Sequence, residues 1–423
     1  MEKKHIISPW YSIPLLGVLF FHLACESMVI PILAPTLATP VSAAHDMLPG
    51  FSAEIHKLCY GISLAVYPVA VFFCAPILGA LSDKIGRKPV LIYALAGTIA
   101  GSLLQGVGME ILSVCMFLLG RALVGATAGI DGAIQAALLD RCSTEKQKNF
   151  YLGATLLAMS VGFIAGPAFA ALFINESSSQ LAWSMPFFAT AAAFVLMVAV
   201  LAKSMQGKMR KIRGELARFN WLAGLGDILT LRRSEKIRRL LLIFILSEVA
   251  SGCFTALIPL VLAQSFEFGV KDIAWFMSLQ GACGGIVFAW IGPAMISKIS
   301  KTAALKFSLF MATAGCAIPL FESLGEWIWS VAAIQALGFM LSYYVVLAIL
   351  SESCEEEKRG WILSVMSSLW GLTVGIGLVA CGVLVAVSNT FCLAACAALC
   401  AASLALCDWK THAHKAQDKT IAP

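Results

Sequence analysis

The chain has 423 residues, of which 60% are apolar and only 13% charged, with a mean hydropathy of +0.87. A soluble domain is about half apolar and a quarter charged, and a chain of this length cannot fold its surface away to hide such a surplus, so a soluble globular protein is excluded. The formal charge of +6 does not point to nucleic acid, because the cations are spread between apolar runs instead of forming one basic patch.

In chain order, Met1-Glu2-Lys3-Lys4 precedes an apolar stretch from Ile13 to Leu37. That stretch is too long for a signal h-region and lacks a small-residue cleavage site, so it reads as a retained first membrane helix. An apolar run of about 20 residues crosses the ~30 Å hydrocarbon core. Twelve such runs are predicted, at 12–38, 57–81, 89–109, 111–138, 150–174, 181–203, 238–263, 272–297, 303–323, 327–351, 361–387 and 389–408. With this numbering, 27 of the 30 Lys and Arg residues fall on one side, in the N-terminus, the even-to-odd loops and the C-terminal tail. Only Lys57 and Lys271 fall on the other side, and Arg121 lies inside a span. The positive-inside rule then predicts an even helix count with both ends cytoplasmic.

The expected fold is an all-α membrane protein with twelve transmembrane helices in two six-helix halves. Residues 1–203 form the N-terminal bundle, 204–237 a basic cytoplasmic linker, 238–408 the C-terminal bundle and 409–423 a cytoplasmic tail. The linker reads either as an interfacial amphipathic helix on anionic lipid or as a solvated connector. An internal repeat is visible. Asp140, Cys142, Glu145 and Lys146 recur at an offset of 212 as Glu352, Cys354, Glu357 and Lys358, and Gly162 and Gly166 recur at 209 as Gly371 and Gly375. Such duplication is common in transporters. The fourteen cysteines lie nearly all within apolar segments, without CxxC or Cys/His spacing, so neither a zinc site nor a disulfide framework is indicated. They read as small packing residues.

The most specific segment is Gly79-Ala80-Leu81-Ser82-Asp83-Lys84-Ile85-Gly86-Arg87-Lys88-Pro89-Val90-Leu91. It reads as a tight basic turn, with Gly86 permitting the reversal and Pro89 suiting the next helix's first turn. The segment resembles the loop motif G-x-L-x-D-x-x-G-R-K/R of the major facilitator superfamily at every defining position. Glu26 followed by Pro31 and Pro35 in span 1 is similar to the acid and P-x-x-P of drug:proton antiporters. Leu119-Gly120-Arg121-Ala122-Leu123-Val124-Gly125 resembles the family's R-x-x-x-G motif. Gly162 to Ala171, with Gly166 and Pro167, resembles the antiporter motif G-x-x-x-G-P-x-x-G-G with alanines at its last two positions, and Asp140 to Gly153 looks like the tetracycline-efflux branch. The resemblance implies that Asp83 and Arg87, with Asp140 as partner of Arg87, gate the cytoplasmic side, with Lys88 in the same loop motif. It also implies that the Gly162/Gly166/Pro167 hinge packs against span 11. The C-terminal counterpart, Gly292 to Lys298, lacks the acid.

Ionisable groups inside lipid cost about 2.5–3.5 kcal/mol each on insertion scales and face a cavity or a partner. Glu26 (span 1), Arg121 and Asp131 (span 4) and Glu248 (span 7) are the candidates for a proton and substrate site. Ten residues separate Arg121 from Asp131, about 15 Å along a helix, so the two are not a same-turn pair. His22 lies one turn before Glu26 and reads more readily as packing. A carboxyl in a low-dielectric cavity holds its proton more tightly and can load and release it as the halves rock, so Glu26→Gln is expected to abolish proton-coupled transport. Phe72, Phe73, Phe163, Trp275, Met277, Trp290 and Trp370 are weaker candidates for a cavity lining. The loop His45 to His56 reads as solvated.

No Walker, GxSxG or HExxH motif occurs, so neither an enzyme nor a cofactor is expected, and an ion gradient is the expected energy source. The leading expectation is a monomeric, proton-coupled exporter of drugs or small amphipathic molecules in the cell inner membrane, with a small-molecule substrate, protons and lipid as partners. Alternatives are a proton-coupled importer of a siderophore or metabolite, and a non-transporting sensor or assembly protein.

Overall fold

The computed structural model describes residues 8–40, 42–174, 179–205, 235–352 and 359–407, among which there is no strand. Lipid offers no hydrogen-bond partner to the backbone, so each apolar run must satisfy its own peptide groups as a helix. Among the described residues twelve helices are long and apolar enough to cross a membrane. Spans 1 to 6 are Pro9–Ala38, Ala53–Ser82, Arg87–Glu110, Val114–Leu139, Phe150–Phe173 and Gln180–Ser204. Spans 7 to 12 are Ile237–Ser265, Val270–Lys298, Lys301–Leu320, Gly325–Leu350, Met366–Val387 and Asn389–Leu406. Large apolar side chains such as Leu119, Leu172, Trp290 and Val387 are exposed, as expected of a surface whose solvent is lipid. Nearly all of the predicted linker and the whole of the tail lie outside the described residues, as does most of the second copy of the repeat around Glu355.

Two spans break beside their charged residues. Span 1 is helical over Pro9–Ser27, breaks at Met28, resumes at Val29–Leu33 and ends in a π-turn at Ala34–Ala38. Pro31 has no N–H to close on the Ser27 carbonyl, and the Ser27 hydroxyl turns back to donate to Leu23 O at 2.9 Å. Span 4 breaks at Gly129, between Val114–Ala128 and Ile130–Leu139. A Cβ on Gly129 would lie 2.3 Å from Ala75 Cα of span 2, so the break coincides with a close backbone approach.

The hinge glycines do not pack where the family resemblance placed them. Cβ atoms at Gly162 and Gly166 would lie 2.2 Å from Phe20 O and 2.3 Å from Ala24 O of span 1. The pair four apart on one helical face therefore seats span 5 on span 1. The other side of span 5 meets span 8, where Ser278 Oγ donates to Ile164 O at 2.9 Å. Span 11 instead meets span 2, through Gly371 beside Pro68 O and Gly375 beside Val69. Within the C-terminal half, a Cβ at Gly377 on span 11 would lie 2.2 Å from Val249 O of span 7. That contact, and not Gly371 or Gly375, mirrors the seat of span 5 on span 1.

The two halves clasp at the ends of spans 2, 7 and 11 that lie away from the basic loops. Lys57 Nζ donates to Val385 O at 3.0 Å and Tyr60 OH to Ala256 O at 2.9 Å. Cβ atoms at Gly61 and Gly382 would lie 2.6 Å from Leu378 O and 2.8 Å from Lys57 O. At the basic face, ion pairs run within each half. Arg87 Nε meets Asp140 Oδ2 at 3.4 Å, and Lys301 pairs with Glu352. Each links the start of the third helix of its half to the end of the fourth, so both copies of the repeat carry the same cross-brace.

Candidate functional site

The basic turn is built as its residue types require. Gly86 has φ +103°, a backbone region open mainly to glycine. Arg87 Nη1 donates to Ser82 Oγ at 2.5 Å, and Ser82 Oγ in turn donates to Gly79 O at 2.8 Å. Lys88 Nζ donates to Ala202 O and Met205 O, both at 2.7 Å. These are terminal carbonyls of span 6, where a cation also meets the negative end of the helix dipole. No neighbour stands within 4 Å of a Cβ at Gly79, so packing there does not demand glycine. The side chain of Asp83 lies outside the described residues.

Four polar side chains from spans 1 and 4 converge deep in the N-terminal half. Arg121 is 1% exposed, and Glu26 keeps 19% of its side chain accessible. Arg121 Nη1 donates to Glu26 Oε2 at 2.8 Å and Nη2 to Oε1 at 3.3 Å, a two-pronged pair that fixes orientation as well as charge. Arg121 Nε and Nη2 also donate to Ser63 O and Leu64 O of span 2, at 3.2 and 3.3 Å. The Tyr67 ring centroid lies 5.0 Å from the guanidinium carbon, within cation–π range. One turn before Glu26, His22 Nδ1 meets Asp131 Oδ1 at 2.9 Å. His22 is buried, while Asp131 keeps 23% of its side chain accessible. The break at Gly129 separates the Arg121 and Asp131 segments of span 4, and each residue finds its partner on span 1.

Glu248 is buried on span 7, and its Oε1 has no hydrogen-bond partner. It takes no part in the hydrogen bonds that tie Glu26 to Arg121 or His22 to Asp131. Pro167 sits inside the helix Glu145–Phe173 and is buried beside Gly166. Of the aromatic and Met candidates, Phe72 and Met277 are core residues, whereas Phe73, Trp275, Trp290 and Trp370 are exposed.

The loop after span 1 is exposed from Pro49 to Ile55, as a solvated loop is, but its histidines are not. His45 and His56 are both buried. His56 Nδ1 and Nε2 each lie 3.0 Å from a carbonyl oxygen, of Leu37 and Leu48, and the His45 ring packs 5.1 Å from that of Trp183. The two histidines thus tie the ends of the loop to the end of span 1 and to span 6. The structure also gathers Cys253, Cys381 and Cys392 from three helices, with sulfurs within 4.8 Å of one another. Sequence spacing carries no sign of that grouping. Nor did it signal Tyr67, Lys57 or Tyr60, which look like unremarkable members of span 2 until their partners, far away in sequence, are seen.

Residues 15–378 match the family described as the Major Facilitator Superfamily. The class D tetracycline resistance protein of Salmonella ordonez is 24% identical over 348 residues, covering 82% of this chain and 84% of the relative. Multidrug resistance protein 1 of Bacillus subtilis (strain 168) is 24% identical over 319 residues, covering 74% and 73%. Among solved structures, the human organic anion transporter MFSD10 (TETRAN) superposes with a TM-score of 0.64 at 18% identity, covering 94% of this chain and 99% of that one. The nucleoside transporter NupG superposes with a TM-score of 0.68 at 14% identity, covering 94% and 98%. These structural likenesses concern the fold alone. A match over most of the chain, joined to twelve apolar helices, the basic turn and the buried charge cluster, shows that this multi-pass membrane protein belongs to the Major Facilitator Superfamily of transporters.

Proposed function

We propose that the protein is a proton-coupled secondary transporter that exports drugs or small amphipathic molecules across the cell inner membrane by alternating access. The observation that carries this reading is the cluster of Glu26, Arg121, Asp131 and His22. It is anchored by a buried ion pair yet leaves two acids partly accessible in the middle of their spans. Charges placed there cost free energy unless they serve a path or a partner. The basic face is taken as cytoplasmic under the positive-inside rule, with both termini there. The clasp of spans 2, 7 and 11 then closes the outer side, and the described structure is a state cut off from that side. The resemblance to resistance proteins supports export and a drug-like substrate.

A partly accessible carboxylate attracts a cationic substrate, and occupancy of the cluster by that cation or by a proton biases the rocking of one half against the other. The Arg87–Asp140 and Lys301–Glu352 braces keep each half rigid at the basic face, and the Gly79–Leu91 turn serves as the cytoplasmic gate. The test is transport in proteoliposomes with an imposed ΔpH, against a panel of drugs, siderophores and metabolites. Uphill movement of a drug in exchange for protons is the expected result. Proton-driven accumulation of a metabolite or siderophore in its place, or no flux of any compound, would overturn the reading.

A further inference from the structure

We infer that the exchangeable proton of this transporter resides on Nε2 of His22, within the His22–Asp131 pair, and that the pair makes the cluster a site for one positive charge at a time. This rests on the proposed reading of the protein as a proton-coupled exporter, and it names the atom and the charge that reading leaves open.

Glu26 is already committed. Both of its oxygens accept from Arg121, so a proton arriving there has to displace a guanidinium bond. Among the described residues no arginine or lysine pairs with Asp131, which is held by imidazole Nδ1 at 2.9 Å. A carboxylate only accepts, so Nδ1 carries the hydrogen that it donates to Asp131, and Nε2 of the neutral ring is then a bare acceptor. That Nε2 is buried and has no partner, an unmet polar atom of the kind that demands an explanation. A proton that binds there leaves the Nδ1 bond in place and turns the pair into an ion pair, so no rearrangement is needed.

The groups facing His22 are Glu26 on its own helix, Asp131 of span 4 and Tyr67 of span 2, whose ring centroid is 6.3 Å away, and Tyr67 in turn feels Glu26, Asp131, Arg121 and Cys25. Spans 5 and 6 meet span 1 through uncharged residues, Gly162 and Gly166 on one and Phe194 and Met197 on the other. With a neutral ring, Glu26, Arg121 and Asp131 leave the cluster one negative charge in excess, with Asp131 accessible to a cation. With the ring protonated the cluster is neutral and that attraction is gone. Proton and cation therefore exclude each other without touching the same atom.

The experiment uses the full chain in detergent with tetraphenylphosphonium as the cation, and counts protons by calorimetry in buffers of different ionisation enthalpy. Near pH 6, where an imidazole changes charge, wild type is expected to release up to one proton per cation bound. His22→Gln is expected to release none while still binding, and its affinity is expected to lose its pH dependence between about pH 5 and 8. Proton release from His22→Gln equal to wild type overturns the proposal. If wild type binds no organic cation, the substrate reading fails, and the proton site is then decided by NMR of labelled histidine. A His22 ring that titrates in that range, and whose titration moves in Asp131→Asn, supports the proposal. A His22 ring that does not titrate overturns it.

Discussion

Replacing Arg121 with Met removes a guanidinium that makes four hydrogen bonds, two to Glu26 and one each to Ser63 O and Leu64 O. Methionine fills much of the same volume, so the loss is chiefly electrostatic. Breaking a buried pair by deleting one partner costs about 3–5 kcal/mol, because the other charge is left uncompensated. Glu26 is 19% exposed, so some water reaches it and the loss falls near about 3 kcal/mol. The double change Glu26→Gln with Arg121→Met removes both charges, and a buried pair replaced as a unit is often close to neutral. The double variant is therefore expected to be more stable than Arg121→Met alone by about 2 kcal/mol. Reversible unfolding in mixed micelles, run as a double-mutant cycle, measures this directly. A double variant destabilised by the sum of the two single changes would show that Glu26 and Arg121 do not act on each other, and the anchor of the site would be lost.

Gly382→Leu places carbon against Lys57 O at 2.8 Å and Leu58 O at 3.2 Å, backbone atoms that cannot move aside. The distance between probes on the clasped ends of spans 2 and 11 should lengthen, and an unchanged distance would show that this contact does not limit closure. Gly86→Ala forces a Cβ into φ +103° and should cost about 1–3 kcal/mol, read as a lower unfolding free energy. Asp140→Asn removes an ion pair whose acid is 61% exposed. It should change unfolding by less than about 1 kcal/mol while slowing transport, so a large stability loss would count against a gating role.

Much of the fold was legible because a membrane imposes one length scale and one charge rule. Every predicted span has its helix, shifted by a few residues, since only apolar length and the ~30 Å core decide where a span can lie. The turn at Gly86 was legible because only glycine suits its φ. Glu26, Arg121, Asp131 and Glu248 stood out because charge in lipid is rare. Their pairing was not legible. Asp131 and His22 are 109 residues apart, and nothing in either segment names the other. His22 read as packing because the acid that gives it meaning approaches from another helix. The hinge glycines declared close packing but not the face, since span 1 and span 11 offer the same small-residue invitation. Cys253, Cys381 and Cys392 failed to register because spacing rules see local pairs, and these meet only after three helices have packed.

Span 2 joins the charge cluster to the clasp, which gives a consequence specific enough to test. Within about three turns of helix, Lys57, Tyr60 and Gly61 hold spans 7 and 11, while Ser63 O, Leu64 O and the Tyr67 ring cradle Arg121. A helix transmits a displacement along its axis because its own hydrogen bonds resist stretching. When occupancy of the cluster shifts Arg121, the same rigid rod therefore carries the change to the clasp. Tyr60→Phe removes one donor from the clasp, the bond to Ala256 O at 2.9 Å, and leaves every contact of Arg121 in place. A single neutral hydrogen bond is worth about 0.5–1.5 kcal/mol, so the equilibrium between closed and open outer ends should move by about 2- to 13-fold. Because coupling between two sites is reciprocal, cation affinity at the cluster, whose Arg121 is cradled by span 2 at Ser63, Leu64 and Tyr67, should change in the direction that favours the open outer end. Binding measured on Tyr60→Phe and wild type side by side checks this. An affinity that stays the same while the clasp loosens would mean that span 2 does not connect the two.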